Sequence, residues 1–235
     1  MMPKLGRQSE AKQILVVGAS RGIGAAVAEH FTQKGDRVFS VSRSQPVAGE
    51  WIQADLSTPE GIKLVADTIG ESVLDAFLFM GGVWENGAFT EQYDFFKSGD
   101  RETRFVIAVN TIAPIELTRQ LTVNLMKSNN PRAIFIGALT ALDNSASIEV
   151  ANTASKCGLR GAVQALKIAL GDRKIGVALI NPGNVATEEV LADIQEGRFE
   201  RQVPIPLADI ISAIEWILTL SNAVDFGEIN MQQKS

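Results

Sequence analysis

Three residue types are almost absent from this 235-residue chain, which has one cysteine, one histidine and one tyrosine. The single cysteine, Cys157, excludes an internal disulfide and suits a reducing compartment. We interpret it as a buried structural thiol, and the single histidine, His30, as a surface or packing residue of a helix. The chain therefore offers no histidine for a general base, a nucleophilic triad or a metal site.

The chain also lacks long apolar runs and clusters of basic residues. No apolar stretch approaches the roughly 20 residues that a membrane-spanning helix needs. The net charge is −5, so binding to nucleic acid or to an anionic membrane has no electrostatic support. Residues 1–12 are polar and lack the apolar region of a signal peptide. We expect a frayed lead-in over residues 1–12, one domain over residues 13–235, and a cytoplasmic location.

Hydrophobic residues make up 46% of the chain and form short runs rich in Val, Ile and Phe. Near-continuous runs of this kind are typical of parallel strands that are covered on both faces. They predict strands over residues 13–17, 37–41, 51–54, 74–79, 133–136, 175–180 and 228–231. Helical periodicity between them predicts helices over residues 23–34, 59–69, 101–127, 151–170 and 207–220.

This alternation predicts an α/β fold, a single-domain doubly wound parallel sheet (Rossmann fold) with helices on both faces. Two segments, residues 81–99 and 188–203, show the least periodicity. In this topology both would lie near the cleft at the end of the sheet, where ligands bind. We therefore expect them to form substrate walls or lids.

A glycine-rich turn, ILVVGASRGIG, joins the first predicted strand to the first predicted helix. Gly18 permits a tight turn, Gly22 lets the backbone approach a pyrophosphate, and Gly24 allows close packing of helix on strand. The phosphates would then lie at the positive N-terminus of the helix. The spacing differs from the G-x-G-x-x-G fingerprint, and an ordinary strand-to-helix turn is the alternative.

The end of the second predicted strand indicates which dinucleotide would bind. Sites selective for NAD usually carry an acidic residue there, which holds the ribose hydroxyls. This chain has Ser42, Arg43 and Ser44 instead. Arg43 could pair with the 2′-phosphate of NADP, and Arg21 could supply a second positive charge. The pattern favours NADP(H) over NAD(H), unless both arginines are only solvated surface residues.

From residue 13 onward the chain resembles a short-chain dehydrogenase/reductase, through the ordered motifs VVGASRGIG, ADLS, AVNTIAPIELTRQL, NTASKCGL and NPGNVATE. The resemblance implies that the first motif binds the cofactor, and we assign this role to Gly18, Ser20, Arg21, Gly22, Ile23 and Gly24. It implies adenine contacts from Asp55 and Leu56, although Asp55 could instead cap the next helix. It implies nicotinamide contacts from Pro182, Gly183, Val185 and Thr187.

The resemblance also implies the catalytic residues. In this family a tyrosine donates a proton, a lysine lowers the pKa of the tyrosine and binds the nicotinamide ribose, a serine polarises the carbonyl, and an asparagine organises water. Here Asn110 and Lys156 match the asparagine and the lysine. Asn152 stands at the tyrosine position, and Ala138 best matches the serine position. The nearest hydroxyls, all out of register, belong to Thr140, Ser145 and Ser147.

These substitutions weaken the expected chemistry, because a positioned general acid accounts for roughly 10²–10⁴ in rate. Asn152 has no titratable proton near neutral pH and only donates a hydrogen bond. The proton could come from water held by Asn110 and Lys156, or from Tyr93 if the segment 81–99 closes. Some family members that reduce conjugated carbon–carbon double bonds also lack the tyrosine, and their substrates are protonated at carbon.

Two functions follow from the resemblance. The first is an NADP(H)-dependent oxidoreductase that acts on a small carbonyl or conjugated alkene with a non-standard proton source, with Asn110, Asn152 and Lys156 as its catalytic residues. The alternative is an NADP(H)-binding pseudoenzyme that acts as a sensor or scaffold without turnover. The missing tyrosine and serine favour the alternative, and the retained nicotinamide segment opposes it. We expect no metal site, and the family implies a homodimer or homotetramer.

Overall fold

A computed structural model describes residues 11–199 and 202–234, and seven strands form one sheet within them. The strands are β1 (Gln13–Val17), β2 (Arg37–Ser42), β3 (Glu50–Gln53), β4 (Ala76–Phe79), β5 (Arg132–Ile136), β6 (Gly176–Pro182) and β7 (Glu228–Met231). Their order is β3-β2-β1-β4-β5-β6-β7, and every neighbouring pair is parallel. The predicted doubly wound parallel sheet is confirmed.

Among the described residues, seven α-helices connect the strands. They are α1 (Gly22–Gln33), α2 (Pro59–Ile69), α3 (Asp100–Ile107), α4 (Ala113–Leu125), α5 (Val150–Leu170), α6 (Glu188–Gln195) and α7 (Leu207–Thr219). The helix predicted over residues 101–127 is present as a continuous helical run over residues 100–125, and a π-helical turn at Ala108–Ile112 divides it into α3 and α4. Pro114, the second residue of α4, has no N–H to donate, which disturbs the hydrogen-bond ladder at this point.

The helix α6 lies inside the segment that shows little periodicity in the sequence. The hydroxyl of Thr187 accepts a hydrogen bond from the N–H of Val190 (3.3 Å) and caps its start. Glu188 and Glu189 occupy the first turn, where their negative charges interact favourably with the positive end of the helix dipole. Local capping therefore forms a helix that hydrophobic periodicity does not reveal.

The sheet buries both of its faces, as the continuous apolar runs predict. In β1, Leu15 and Val17 pack with buried residues of α2, α4 and α5. The alternate residues Ile14 and Val16 pack on the other face with α1 and α7. Successive side chains of a strand point to opposite faces, so a strand between two helical layers needs apolar residues at every position.

The strand order reverses between β1 and β4, which opens a crevice at the carboxyl ends of these strands. The turn after β1 and the segment after β4 approach each other closely here. A Cβ atom on Gly18 would lie 2.5 Å from Cα of Gly81, and Gly18 has a φ of +84°. Only glycine fits this position, because a side chain would push the two walls apart.

Three further predictions have direct structural counterparts. His30 lies on α1 and contacts α7, with Nε2 at 3.0 Å from Oε1 of Glu215, which confirms a packing role. The interpretation of Cys157 as buried is wrong: its side chain is exposed. It follows Lys156 on α5, and one residue rotates a helical side chain by about 100°, here out to solvent. In the described part of the chain, no helix has the length and apolarity to cross a membrane.

The predicted lead-in over residues 1–12 lies mostly outside the described residues. At its end, Lys12 directly precedes β1, and its backbone is hydrogen-bonded. Its N–H donates to Oδ1 of Asp36 (2.8 Å), and its carbonyl accepts from the N–H of Arg37 (2.8 Å).

Candidate active site

One cleft of about 760 Å³ lies at the carboxyl ends of the central strands. It is lined by every predicted site residue except Gly24 and Asn110. The lining members are Gly18, Ser20, Arg21, Gly22, Ile23, Arg43, Asp55, Leu56, Asn152, Lys156, Pro182, Gly183, Val185 and Thr187. Residues that are more than 160 positions apart in sequence therefore share one cavity.

The N-terminus of α1 opens into this cleft without a side-chain cap. Arg21 is its N-cap residue and makes no capping hydrogen bond, and the first turn contains no acidic residue. By contrast, Thr58 and Thr187 cap α2 and α6. Gly24 lies behind the turn, where a Cβ atom would be 2.2 Å from the carbonyl oxygen of Gly18. The unpaired N–H groups of α1 form a positive site that suits a phosphate.

Asp55 and Leu56 lie together at the far end of the cleft. Oδ1 of Asp55 accepts hydrogen bonds from the N–H (2.9 Å) and the hydroxyl (2.8 Å) of Ser57. The cap of α2 is Thr58, whose hydroxyl accepts from the N–H of Gly61 (3.1 Å). The alternative interpretation of Asp55 as the helix cap is therefore wrong. Its carboxylate is exposed in the cleft.

Arg43 leaves the carboxyl end of β2 and is exposed. Its guanidinium lies 5.7 Å from the ring centroid of Phe105. Arg21 is held differently, with Nη1 at 3.7 Å from Oε1 of Glu189 on α6. Both cations line the cleft, and only Arg21 has a carboxylate partner among the described residues.

Lys156 lies in the second turn of α5, inside the molecule. Its side chain is buried, and Nζ donates a hydrogen bond to the carbonyl oxygen of Ile136 (3.2 Å). Gly82 approaches it closely, since a Cβ atom there would lie 3.3 Å from Nζ. Burial disfavours the charged ammonium and lowers the pKa of Lys156 from 10.5 to about 8.

Asn110 lies in the π-helical turn, and its side chain does not line the cleft. Its Oδ1 accepts from the N–H of Val83 (2.9 Å), and Nδ2 donates to the carbonyl of Val83 (2.7 Å) and to the hydroxyl of Ser155 (2.9 Å). The amide thus connects the segment after β4 to α5. These hydrogen bonds hold the cleft wall, and the catalytic role predicted for Asn110 stays a prediction.

Asn152 lies in the first turn of α5, one helical turn before Lys156, and is buried. Its carbonyl oxygen accepts from the hydroxyl of Ser155 (2.7 Å). Within the described part of the chain its side-chain amide makes no hydrogen bond, although it lines the cleft. A donor and an acceptor are therefore available to a ligand at this point.

The carboxylate of Glu85 accepts hydrogen bonds from backbone N–H groups at the start of α5. Glu85 is buried, and its Oε1 accepts from the N–H groups of Ala151 (2.6 Å) and Asn152 (3.2 Å). Sequence reasoning missed this residue. No local pattern marks Glu85, because its two partners lie 66 and 67 residues further along the chain.

Tyr93 and the hydroxyl residues near Ala138 do not line the cleft, whereas Ala138 does. The hydroxyl of Tyr93 accepts from the N–H of Val150 (3.1 Å) and lies 3.5 Å from Oε1 of Glu85. Tyr93 therefore contacts the first residue of α5 and does not reach the cavity. The other hydroxyls outside the cavity are those of Thr140, Ser145 and Ser147.

Comparison with known proteins decides the family. The family model for short chain dehydrogenase matches residues 12–197, which is more than half of the chain. The chain belongs to the short-chain dehydrogenase family. As a short-chain dehydrogenase, it is an oxidoreductase. In residues 11–199 and 202–234 no group of three or more His, Cys, Asp or Glu side chains is placed to hold a metal ion.

Relatives of this short-chain dehydrogenase agree with that assignment. The 3-oxoacyl-[acyl-carrier-protein] reductase FabG of Escherichia coli (strain K12) is 27% identical over 208 residues, which are 83% of each chain. A short chain dehydrogenase family protein from Francisella tularensis has a TM-score of 0.81 at 23% identity and covers 95% of this chain and 98% of its own. The structural match confirms the fold over 95% of the chain.

Several similar structures contain a dinucleotide. A metagenomic short-chain oxidoreductase in complex with NADP has a TM-score of 0.76 at 24% identity, with coverage of 95% and 97%. The 3-alpha-hydroxysteroid dehydrogenase from Pseudomonas sp. B-0831, complexed with NADH, has a TM-score of 0.76 at 20% identity, with coverage of 94% and 95%. The fold is therefore shared with proteins that bind either nicotinamide dinucleotide.

Proposed function

We propose that the protein is an NADP(H)-dependent oxidoreductase that transfers a hydride to a small carbonyl or conjugated-alkene substrate and uses a proton source other than a tyrosine of α5. One observation carries this proposal. A single cleft of about 760 Å³ contains the uncapped start of α1, the buried Lys156, residues 182–185 and Thr187. A dinucleotide with a substrate beside it fits this arrangement.

The residues of the cleft fit the dinucleotide in a consistent order. The uncapped N-terminus of α1 would hold the pyrophosphate. Asp55 and Leu56 would contact the adenine at the far end of the cavity. Arg43 would pair with the 2′-phosphate, because it is exposed in the cleft and has no carboxylate partner among the described residues. That charge is the reason to favour NADP(H) over NAD(H).

At the other end, Thr187 and Lys156 would position the nicotinamide half. The hydroxyl of Thr187 already accepts from the N–H of Val190, so its own O–H is left to donate to the carboxamide. Lys156 would donate to the ribose, with Pro182, Gly183 and Val185 beside the ring. When bound, the cofactor supplies the hydride, and these residues fix its orientation.

The proton is the unusual part of the proposed reaction. Asn152 replaces the acid of the family motif and Ala138 replaces its serine, so a ketone would lack both its proton donor and one polarising group. A conjugated alkene needs less from the protein. Reduction at carbon leaves negative charge on the substrate oxygen, where the free amide of Asn152 donates a hydrogen bond, and water delivers the proton to carbon. Lys156 adds positive charge nearby while it is protonated.

The named relatives are described as reductases, dehydrogenases and oxidoreductases, and none of them supports a binding protein without turnover. We also propose that the protein works in the cytoplasm as a homodimer or homotetramer. Exposed apolar side chains on α4 and α5 support self-association. They include Ile115, Val123 and Ile168.

The test is NADPH consumption by the pure protein with matched panels of ketones and enones. We expect turnover of enones, and a loss of roughly 100-fold in kcat/KM for Lys156→Ala. The matched control is Lys167→Ala, on the same helix, where the ammonium pairs with Asp225 outside the cleft (3.3 Å). Tight NADPH binding without consumption in either panel would contradict the proposal and favour a sensor or scaffold.

A further inference from the structure

Two aromatic side chains lie together in the wall of the cleft that Asn152 also lines. Trp84 and Phe89 both line the cavity, and their rings meet edge to face with centroids 5.9 Å apart. Trp84 is 38% exposed, so much of its ring remains free. A third aromatic side chain, Phe199, lines the same cavity after α6. The proposed cofactor contacts do not use any of these rings.

Phe89 has an unusual backbone conformation that keeps it at the cleft. Its φ is +64°, in the left-handed region that bulky residues rarely adopt. The N–H of Phe89 donates to Oε1 of the buried Glu149 (2.9 Å), which holds this conformation. Strain of this kind persists only when the surroundings enforce it, and it is concentrated at functional sites.

The rest of the aromatic wall is also fixed in place. Val83 precedes Trp84 and makes two hydrogen bonds with the side chain of Asn110. Glu85 follows Trp84 and accepts from the first turn of α5. The N–H of Asn86 donates to Oε1 of Glu102 (2.6 Å). The two rings are therefore presented by a preorganised segment, which lowers the entropic cost of binding a ligand.

The charges near this wall are already paired. Nε of Arg198 lies 2.7 Å from Oδ1 of Asp193, and the same guanidinium also contacts Glu196. The carboxylate of Glu85 is bound to backbone N–H groups. Arg21, whose Cζ lies 6.0 Å from the centroid of Trp84, pairs with Glu189. An anionic substrate would find the arginines of this wall already paired with carboxylates, and the other cations of the cleft, Lys156 and Arg43, are the ones that the proposed function assigns to the cofactor.

We propose that the substrate end of the cleft is a slot for a flat, uncharged aromatic ketone or enone, whose ring stacks against Trp84 and Phe89 and whose oxygen accepts a hydrogen bond from Asn152. The inference rests on the proposed function, since it names the substrate class of the same site. Offset or edge-to-face contact with Trp84 favours an aromatic ring over a saturated one of equal size. The amide of Asn152 suits a neutral carbonyl oxygen.

Binding is measured by calorimetry with and without NADP⁺, which cannot deliver a hydride, so the result does not depend on turnover. The three probes are benzylideneacetone, its cyclohexyl analogue and its para-carboxylate. We expect benzylideneacetone to bind at least roughly tenfold more tightly than either analogue. Trp84→Ala should weaken its binding roughly tenfold, and Trp84→Phe should keep most of the affinity. Trp216→Ala is the control, because Trp216 packs on Phe226 outside the cleft.

Equal binding of the cyclohexyl analogue, tighter binding of the carboxylate, or no binding of any probe would overturn the inference. The comparison of ligands uses the unaltered protein, so it stands even if Trp84→Ala does not fold. Failure of the proposed function has a different signature. If benzylideneacetone binds as expected but NADPH is not consumed, the aromatic slot is right and the oxidoreductase proposal is wrong. If NADPH is consumed only with aliphatic substrates, the oxidoreductase proposal is right and the aromatic slot is wrong.

Discussion

Both carboxylate oxygens of Glu85 accept the backbone N–H of Asn152, at 3.2 and 3.1 Å, across 67 residues of sequence. The helix α5 has no capping side chain of its own, and Glu149 at its N-cap makes no such bond. A carboxylate at this end is also favoured by the helix dipole. The segment after β4 therefore fixes the start of the helix that carries Asn152 and Lys156. These two parts of the cleft lining are held in place relative to each other.

Replacing Glu85 should cost more stability than replacing an exposed acid of the same segment. Glu85→Ala leaves the N–H groups of Ala151 and Asn152 buried without a partner, and we expect the free energy of unfolding to fall by about 2–3 kcal/mol. Urea denaturation measures this, with the exposed Glu91→Ala as the matched control. Equal effects of the two substitutions would show that Glu85 does not stabilise α5.

The sheet could be predicted from the sequence because each strand carries its own signal. The run at β1 is apolar from Ile14 to Val17, and the structure buries these residues on both faces. The glycine turn is a local signal too, since Gly18 must combine a positive φ with a close contact to Gly81. Patterns of this kind depend on neighbours in sequence and on the general rules of layered packing.

The parts that the sequence did not predict depend on distant partners or on capping. Glu85 has no signature of its own, because its role is defined by N–H groups on α5. The helix α6 forms through the cap at Thr187 and not through an apolar stripe. Cys157 was expected to be buried as cysteines usually are, but its place on α5 turns it to solvent. The roles of Asn152 and Lys156 in the reaction stay predictions.

Arg43 should determine the preference for NADPH. Its guanidinium is exposed in the cleft, and loss of a charge-assisted contact to the 2′-phosphate should weaken binding roughly 10- to 100-fold. Arg43→Ala should leave NADH binding nearly unchanged, because NADH lacks that phosphate. Quenching of nucleotide fluorescence gives both dissociation constants.

The control for this measurement is Arg37→Ala, at the other end of the same strand. Arg37 pairs with Glu50 (2.7 Å) and lies outside the cleft. If Arg43→Ala weakened NADPH and NADH equally, the arginine would act on a group that both cofactors share. The assignment of the 2′-phosphate to Arg43 would then be wrong.

The pKa of Lys156 predicts an alkaline limit to activity. Burial lowers the pKa to about 8, so the ammonium is mostly charged at neutral pH and loses its proton as the pH rises through about 8. On the proposed function the charged form would donate to the ribose and stabilise negative charge on the substrate, so kcat/KM should fall about tenfold per pH unit above that value. Initial rates between about pH 6 and pH 10 test this.

Lys156→Arg separates this lysine from other groups that titrate in the same range. A guanidinium stays protonated throughout, so the variant should be slower but should lack the alkaline fall. An unchanged fall in Lys156→Arg would assign the titration to another group.

Restoring the motif of the family should restore ketone reduction. Asn152 and Ala138 both line the cleft, and Asn152→Tyr combined with Ala138→Ser would supply the phenol and the hydroxyl that, on the proposed function, these two positions lack. Lys156, one turn further along α5, is already in place to lower the pKa of the new phenol. We expect NADPH-dependent reduction of a ketone such as acetophenone to rise at least roughly 100-fold.

The control is Asn152→Phe with Ala138→Ser, which has the same shape without the phenolic proton. If both double variants gain equally, the increase comes from packing, and the absence of the tyrosine is not what limits this site.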